Sequence, residues 1–300
     1  MTSQVITSPI PSDLADVPGI ATGFRPVGVN RGRYVICGRP GCGKSTLAHS
    51  NPKAFILDPE MGGNTVDDPK AICFTPDPEL VPEGDSAESY MNMMEKIIAR
   101  RKAGKREFDM IVIDTIDELI EIFLQDFCLK HKLEDPLDYK SGEGNAYSIV
   151  RRDIFRMLDR AYRAGFGWTL LAHVTPKTIR HAGEEKIVQS LSVSDSFRNA
   201  LFRKCEHMMF MDFYTKTIKG EPTTRVVKGK KISIPGESHQ EIWRVLKIKP
   251  GGLWKGETTS DVKVRVPFPD STEIPRLGGW DVVTTVYNEA VKTLTQGVTT

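Results

Sequence analysis

An excess of charge of one sign is the first thing this chain lacks. Lys+Arg 41 stand against Asp+Glu 39 in 300 residues, a formal net charge of +2. That balance excludes a general basic coat, so any nucleic-acid contact has to come from a local patch. A C-x-x-C pair is also missing. Cys37, Cys42, Cys73, Cys128 and Cys205 are odd in number and scattered, which argues against a disulfide scaffold and a structural zinc site. No apolar run approaches the ~20 residues that cross a bilayer. The opening MTSQVITSPIPSDLADVPG has no basic stretch leading into an apolar one, so no secretory leader is expected. Repeats and low-complexity tracts are absent too. The chain reads as cytoplasmic, reduced and without a membrane partner. What is present is ordinary globular composition, 39% hydrophobic and 27% charged, enough for a core of normal size.

Along the chain, residues 1–28 are rich in Pro, Ser and Thr without periodicity and read as a flexible arm. Apolar runs then alternate with helical spacing. Arg33–Cys37, Ala54–Leu57, Ala71–Phe74, Met110–Ile113 and Trp168–Ala172 read as buried strands. Ser86–Arg101, Ile116–Leu129 and Ala146–Ala164 read as helices between them. Unalternated strands separated by helices predict an α/β fold, a mainly parallel sheet covered on both faces. From Ile187 the texture changes to strands with one intervening helix, Ser194–Lys204, and a last helix at Trp280–Leu294. The sheet is therefore expected to finish in antiparallel or edge strands. The predicted division is an arm at 1–28, a core at 29–215, and a β-rich extension with a closing helix at 216–300.

The sharpest motif is Gly38-Arg39-Pro40-Gly41-Cys42-Gly43-Lys44-Ser45-Thr46. It fits G-x-x-x-x-G-K-[ST], follows a β run and opens a helix. Glycines let backbone N–H groups turn inward around a phosphate, and the helix start adds partial positive charge. Lys44 is then expected to reach the β- and γ-phosphates of ATP, and the Ser45 hydroxyl to ligate Mg²⁺. Cys42 reads as small filler within the loop. A carboxylate for the metal is supplied by Asp114, at the end of the apolar run Met110–Ile113. Asp114 also suits capping of the helix that follows, and the two roles can coexist. The next residue is Thr115 rather than the Glu that many AAA-type ATPases place there, so a water-activating base has to come from elsewhere. Glu60, just past the strand Ala54–Leu57, is the candidate; a solvent-facing acid in a turn is the alternative.

The order of these parts resembles the RecA-like core: phosphate loop, strand ending D-x-E (Asp58, Glu60), strand ending D-[ST] (Asp114, Thr115), strand ending in a polar residue (His173). It is most similar to phage-encoded RecA-like nucleotide-binding proteins, some of them single-strand annealing or recombination factors. The shared features are Asp58, Glu60 and Gly62, Asp114–Ile116, Ala172 with His173, and a late K-P segment at Lys249 and Pro250. The resemblance implies a RecA-like ATPase core over roughly residues 30–270 acting on single-stranded DNA in phage recombination or replication, in the host cytoplasm. It implies Glu60 as general base and His173 as a sensor of the γ-phosphate, where bacterial RecA carries Gln. A strand-end His can instead satisfy buried backbone. The resemblance also implies a homo-oligomer, ring or filament, whose site is completed by a cation from the next subunit; Lys247 and Lys249 are the candidates.

Three basic clusters stand out: Arg152, Arg156, Arg160 and Arg163; Arg100–Lys102 with Lys105 and Arg106; and Lys228, Lys230 and Lys231. Such runs also serve as solvated faces or helix C-terminal complements. The segment after His173, with Lys177, Arg180 and Lys186, is read as a loop at the position where RecA-like proteins contact single strands, and is the preferred DNA contact. Two other functions stay open: a small-molecule or nucleotide kinase, and a nucleotide switch that does not hydrolyse.

Overall fold

The computed structural model describes residues 28–63, 66–139, 142, 144–181, 184–227, 230–234, 236–247, 268–275 and 278–296. The N-terminal arm, apart from Gly28, and Lys249 lie outside them. The parallel strands are β1 (Arg33–Gly38), β2 (Ala54–Leu57), β3 (Ile72–Phe74), β4 (Met110–Asp114), β5 (Gly167–His181) and β7 (His207–Ile218). The buried portions of β1, β2 and β4 are continuous apolar runs, because helices cover both faces and neither face sees water; β3, expected as a buried strand, is instead the exposed edge of the sheet, with Ile72 55% exposed. β10 (His239–Lys247) and β11 (Ser271–Ile274) add antiparallel to the edge beyond β7. The order across the sheet is β11-β10-β7-β1-β5-β4-β2-β3. This is an α/β fold on a mainly parallel sheet, and the expected antiparallel finish is present in β10 and β11.

Helices α2 (Ser86–Lys102), α3 (Ile116–His131), α4 (Ala146–Arg163) and α5 (Asp195–Lys204) cover one face. There Leu119, Phe123, Ile154, Leu158 and Leu201 pack on Val35, Ile111, Ile113 and Leu170. α1 (Lys44–His49) and α6 (Trp280–Gln296) cover the other, over Tyr34, Ile36, Ile56, Val112 and Met209. α4 starts at Asn145, whose side chain accepts from the Ser148 N–H; α5 starts at Ser194, whose hydroxyl accepts from the Phe197 N–H.

The segment after His173 is not a loop. β5 continues to His181 and folds back onto β6 (Glu184–Leu191) as an antiparallel ribbon, Val174 opposite Leu191 and Thr178 opposite Ile187. Val174, Thr175, Thr178 and Ile179 are β-branched, which suits an extended ribbon; Lys177 and Arg180 between and after them mask that pattern in the sequence. β8 (Thr223–Val227) and β9 (Lys230–Ile234) form a separate two-stranded ribbon.

Two of the basic clusters have structural work. Arg101 is buried and donates to the Phe108 carbonyl at 2.8 Å, the Asp109 carboxylate at 2.8 Å and the Gly165 carbonyl at 2.7 Å. It thereby ties the end of α2 to the starts of β4 and β5. On α4, Arg160 is paired with Glu95 of α2, and Arg156 with Asp153.

Candidate nucleotide site

The parallel register brings the strand tips level. Gly38 at the end of β1 is opposite His173 of β5 on one side and Met211 of β7 on the other. Asp114 at the end of β4 is opposite Leu171, and Leu57 at the end of β2 is opposite Ile113. Four adjacent strands therefore deliver the Gly38–Thr46 loop, His173, Asp114 and the Asp58–Gly62 turn to one end of the sheet.

The loop is shaped by its glycines. Gly41 and Gly43 sit at φ 76° and 95°, the left-handed region that side-chain-bearing residues avoid. A Cβ on Gly38 would come within 2.3 Å of the Met211 carbonyl oxygen, so β1 and β7 approach as closely as they do only with glycine there. Lys44 is only 4% exposed, and its ammonium donates to the Gly38 and Arg39 carbonyls, both at 3.2 Å. The side chain thus lies back across its own loop, and an anion offers its ammonium a stronger partner than two neutral carbonyls. Burial pushes the Cys42 thiol above its usual pKa, against Lys44, which lowers it. It is a packed thiol, not a nucleophile.

Asp114 is 1% exposed, and neither of its carboxylate oxygens makes a hydrogen bond of normal geometry. Burial raises its pKa to about 6; the nearby Ser45 hydroxyl and Lys44 pull down, while Asp58 and Glu60 push up. A buried carboxylate without a firm partner beside a serine hydroxyl is a hard oxygen donor set. It fits Mg²⁺, with phosphate oxygens and water supplying the remaining ligands. Among the described residues no group of three His, Cys, Asp or Glu could hold a metal ion by itself.

The turn after β2 is built by Asp58, whose carboxylate accepts from the Gly62 N–H at 3.2 Å and the Gly63 N–H at 2.7 Å. The Tyr90 and Thr75 hydroxyls hold its carbonyl. Glu60 is exposed on that turn, its N–H donating to the Asp114 carbonyl at 3.4 Å. Its charge is felt by Asp114 and by His173. His173 is half-buried and bonds through Nδ1 to the Asp117 carboxylate at 2.7 Å, while its N–H donates to the same carboxylate at 3.2 Å. The hydrogen bond to Asp117 raises the His173 pKa against burial. Burial would raise Asp117, but the bond and charge of His173 outweigh it and hold Asp117 low.

The expected Lys44, Ser45, Glu60, Asp114 and His173 are thus neighbours. Asp117 was missed: an acid in the first turn of a helix reads as a dipole complement, and only the β4–β5 register brings it to His173. Arg244 of β10 was missed as well. Its guanidinium lies so close to the loop that a Cβ on Gly43 would approach its Cζ to 2.6 Å; a lone Arg in a strand carries no signal of that. Two residues expected at a subunit boundary or on DNA, Lys247 and Lys177, are paired within the chain. Lys247 pairs with Asp212 of its own chain at 3.6 Å. Lys177 pairs with Asp195 at 2.9 Å, out on the β5–β6 ribbon. The side chains of Arg180 and Lys186 are outside the described residues, although their backbones lie in β5 and β6. No helix among the described residues is long and apolar enough to cross a membrane.

A family model described as "AAA domain" matches residues 30–251, which takes in β1 to β10 and every group just described. No curated protein matches the chain.

Proposed function

The chain belongs to the AAA domain family, which indicates nucleotide binding, and on that premise we propose an ATPase of RecA-like type, acting on single-stranded DNA in phage recombination or replication. The observation that carries the nucleotide half is the buried Asp114 carboxylate, lacking a hydrogen bond of normal geometry, beside Ser45 and within electrostatic reach of Lys44 and Glu60. A carboxylate kept in so poor an environment is explained by a ligand that compensates it. Ser45 and Asp114 would hold Mg²⁺, which when bound neutralises charge on the phosphate oxygens.

The chain's own residues divide the remaining work. Lys44 exchanges the Gly38 and Arg39 carbonyls for phosphate oxygens, and inward-turned N–H groups of the loop add to it. Glu60, exposed at the end of the turn that Asp58 braces, positions a water for attack at the γ-phosphate and accepts its proton. With Nδ1 fixed on Asp117, His173 has Nε2 for a γ-phosphate oxygen, and its raised pKa favours the donating form. His173 also begins the exposed half of β5, so displacement there is passed to the β5–β6 ribbon that carries Lys177, Arg180 and Lys186, the proposed single-strand contact. A homo-oligomer, ring or filament, with Lys247 or Lys249 reaching a neighbour's nucleotide, belongs to the same proposal.

The test is ATP turnover with and without single-stranded DNA. The expected outcome is stimulation by DNA, loss of nucleotide binding in Lys44→Ala, and retained binding with lost turnover in Glu60→Gln. Unchanged turnover in Glu60→Gln removes Glu60 from its role. Phosphoryl transfer to a nucleoside monophosphate replaces the proposal with a kinase; binding without turnover in either condition replaces it with a switch.

A further inference from the structure

α1 is only six residues long, and its two ends face different parts of the site. Lys44 opens it at the phosphate loop. His49 closes it, 1% exposed, against the turn that carries Glu60. The backbone of His49 is fixed: its carbonyl accepts from the N–H groups of Lys70 at 2.8 Å and Ala71 at 3.0 Å, at the entrance to β3. Burial lowers the imidazole pKa against the pull of Asp58, so the ring is neutral, a packed body rather than half of an ion pair.

Gly63 marks where the ring meets the turn. A Cβ there would stand 2.8 Å from Oδ2 of Asp58, 3.2 Å from Sγ of Cys73 and 3.2 Å from Cε1 of His49. Side chains from three segments thus converge on one backbone position that has no side chain of its own. Asp58 is the brace of the turn: besides the Gly62 and Gly63 N–H groups, its carboxylate takes the Cys73 thiol at 3.7 Å. Burial and the Asp58 charge keep that thiol protonated. Glu60 lies between the two ends of this brace, and Met61 next to it has φ 58°, a left-handed conformation that side-chain-bearing residues seldom adopt. The direct tie to β4, from the Glu60 N–H to the Asp114 carbonyl, is 3.4 Å, long for a hydrogen bond. The position of Glu60 is therefore set mainly from the Asp58–Gly63 side.

We propose that His49 is a positioning residue for Glu60: its ring, anchored at the end of the phosphate-loop helix, is the stop against which Asp58 and Gly63 close the turn. The inference rests on the reading of Glu60 as the water-activating base and adds a residue, at the far end of α1, that acts through the turn. The helix then has two tasks. One end holds the phosphates and the other sets the base, so both reacting partners are referenced to the same six residues. A misplacement of about 1 Å in a catalytic group can cost on the order of a hundredfold in rate, so slack at this junction is read in turnover.

The experiment compares wild type with His49→Ala, which empties the junction, and Gly63→Ala, which crowds it, and repeats His49→Ala in a Glu60→Gln background. ATP turnover, calorimetric ATP affinity in magnesium buffer and a thermal melt are measured on the full chain. The expected result is a fall in kcat of roughly tenfold to a hundredfold in both single variants, with ATP affinity unchanged. Adding His49→Ala to Glu60→Gln is expected to cost nothing further, because both changes remove the same function. Unchanged kcat in folded His49→Ala overturns the inference. So does a parallel loss of ATP affinity, because His49 then supports the loop and not the turn, and so do losses that multiply in the double variant. Where His49→Ala does not fold, Gly63→Ala decides by the same split between kcat and affinity. Normal turnover in Glu60→Gln overturns the reading of Glu60 and the inference with it; lost turnover there beside normal turnover in His49→Ala overturns the inference alone.

Discussion

Asp114 concentrates the energetics of the site in one side chain. Its carboxyl is raised from 3.8 to about 6 by burial. Between those two values the folded chain holds a proton that the unfolded chain has released, so stability falls as pH rises through that window. Above about 6 the folded chain carries the full penalty, on the order of 3 kcal/mol. Asp114→Asn is therefore expected to raise the melting temperature of nucleotide-free protein at pH 8, with the difference shrinking below pH ~6, and to abolish magnesium-dependent nucleotide binding. Melting curves over pH with and without Mg·ATP check both halves; an unchanged melting temperature at pH 8 contradicts the burial account. His173 supplies a second residue-scale prediction. Asp117→Asn removes the hydrogen bond that raises the imidazole pKa, so the His173 ring titrates at lower pH in the variant. Proton NMR of the ring measures this, and an unshifted midpoint would show that Asp117 does not tune His173.

Among elements, the C-terminus of α2 and the β5–β6 ribbon illustrate opposite uses of basic residues. Arg101 sits where three carbonyl or carboxylate acceptors converge between α2, β4 and β5. Arg101→Ala strands those acceptors and is expected to destabilise the fold by about 2–4 kcal/mol. Denaturant melts test it, and a loss under about 0.5 kcal/mol would return Arg101 to the solvated surface. Lys177 spends its charge on an exposed pair with Asp195, an interaction of little energetic weight and easily exchanged for a phosphate. Lys177→Ala is expected to weaken single-strand binding evenly across sequences and to reduce the salt slope by about one. What was legible in the sequence follows the same division. Unalternated apolar runs and the G-x-x-x-x-G-K-S string are local patterns, and so the parallel sheet and its phosphate-loop setting could be read directly. The β5–β6 ribbon was hidden by its charges. The four-residue β11 was hidden by its brevity, since Ser271–Ile274 has no periodicity to speak of. Asp117 and Arg244 depend on register across several strands, which no window along the chain contains.

At the scale of the molecule, one end of a single sheet gathers the candidate site: β5, β4 and β2 present His173 and the acids on one side of the loop that follows β1. The proposed oligomer and DNA partner would be added outside this frame, and stimulation of turnover by single-stranded DNA should fade steeply as salt rises, because counterion release drives a phosphate contact. All of it depends on the loop at Gly38–Thr46 receiving a triphosphate with magnesium. Isothermal titration of the full chain with ATP in magnesium buffer tests that most directly. The account predicts saturable uptake of one nucleotide per chain that disappears in Lys44→Ala; no heat of binding from folded wild-type protein, or equal binding by Lys44→Ala, would contradict it.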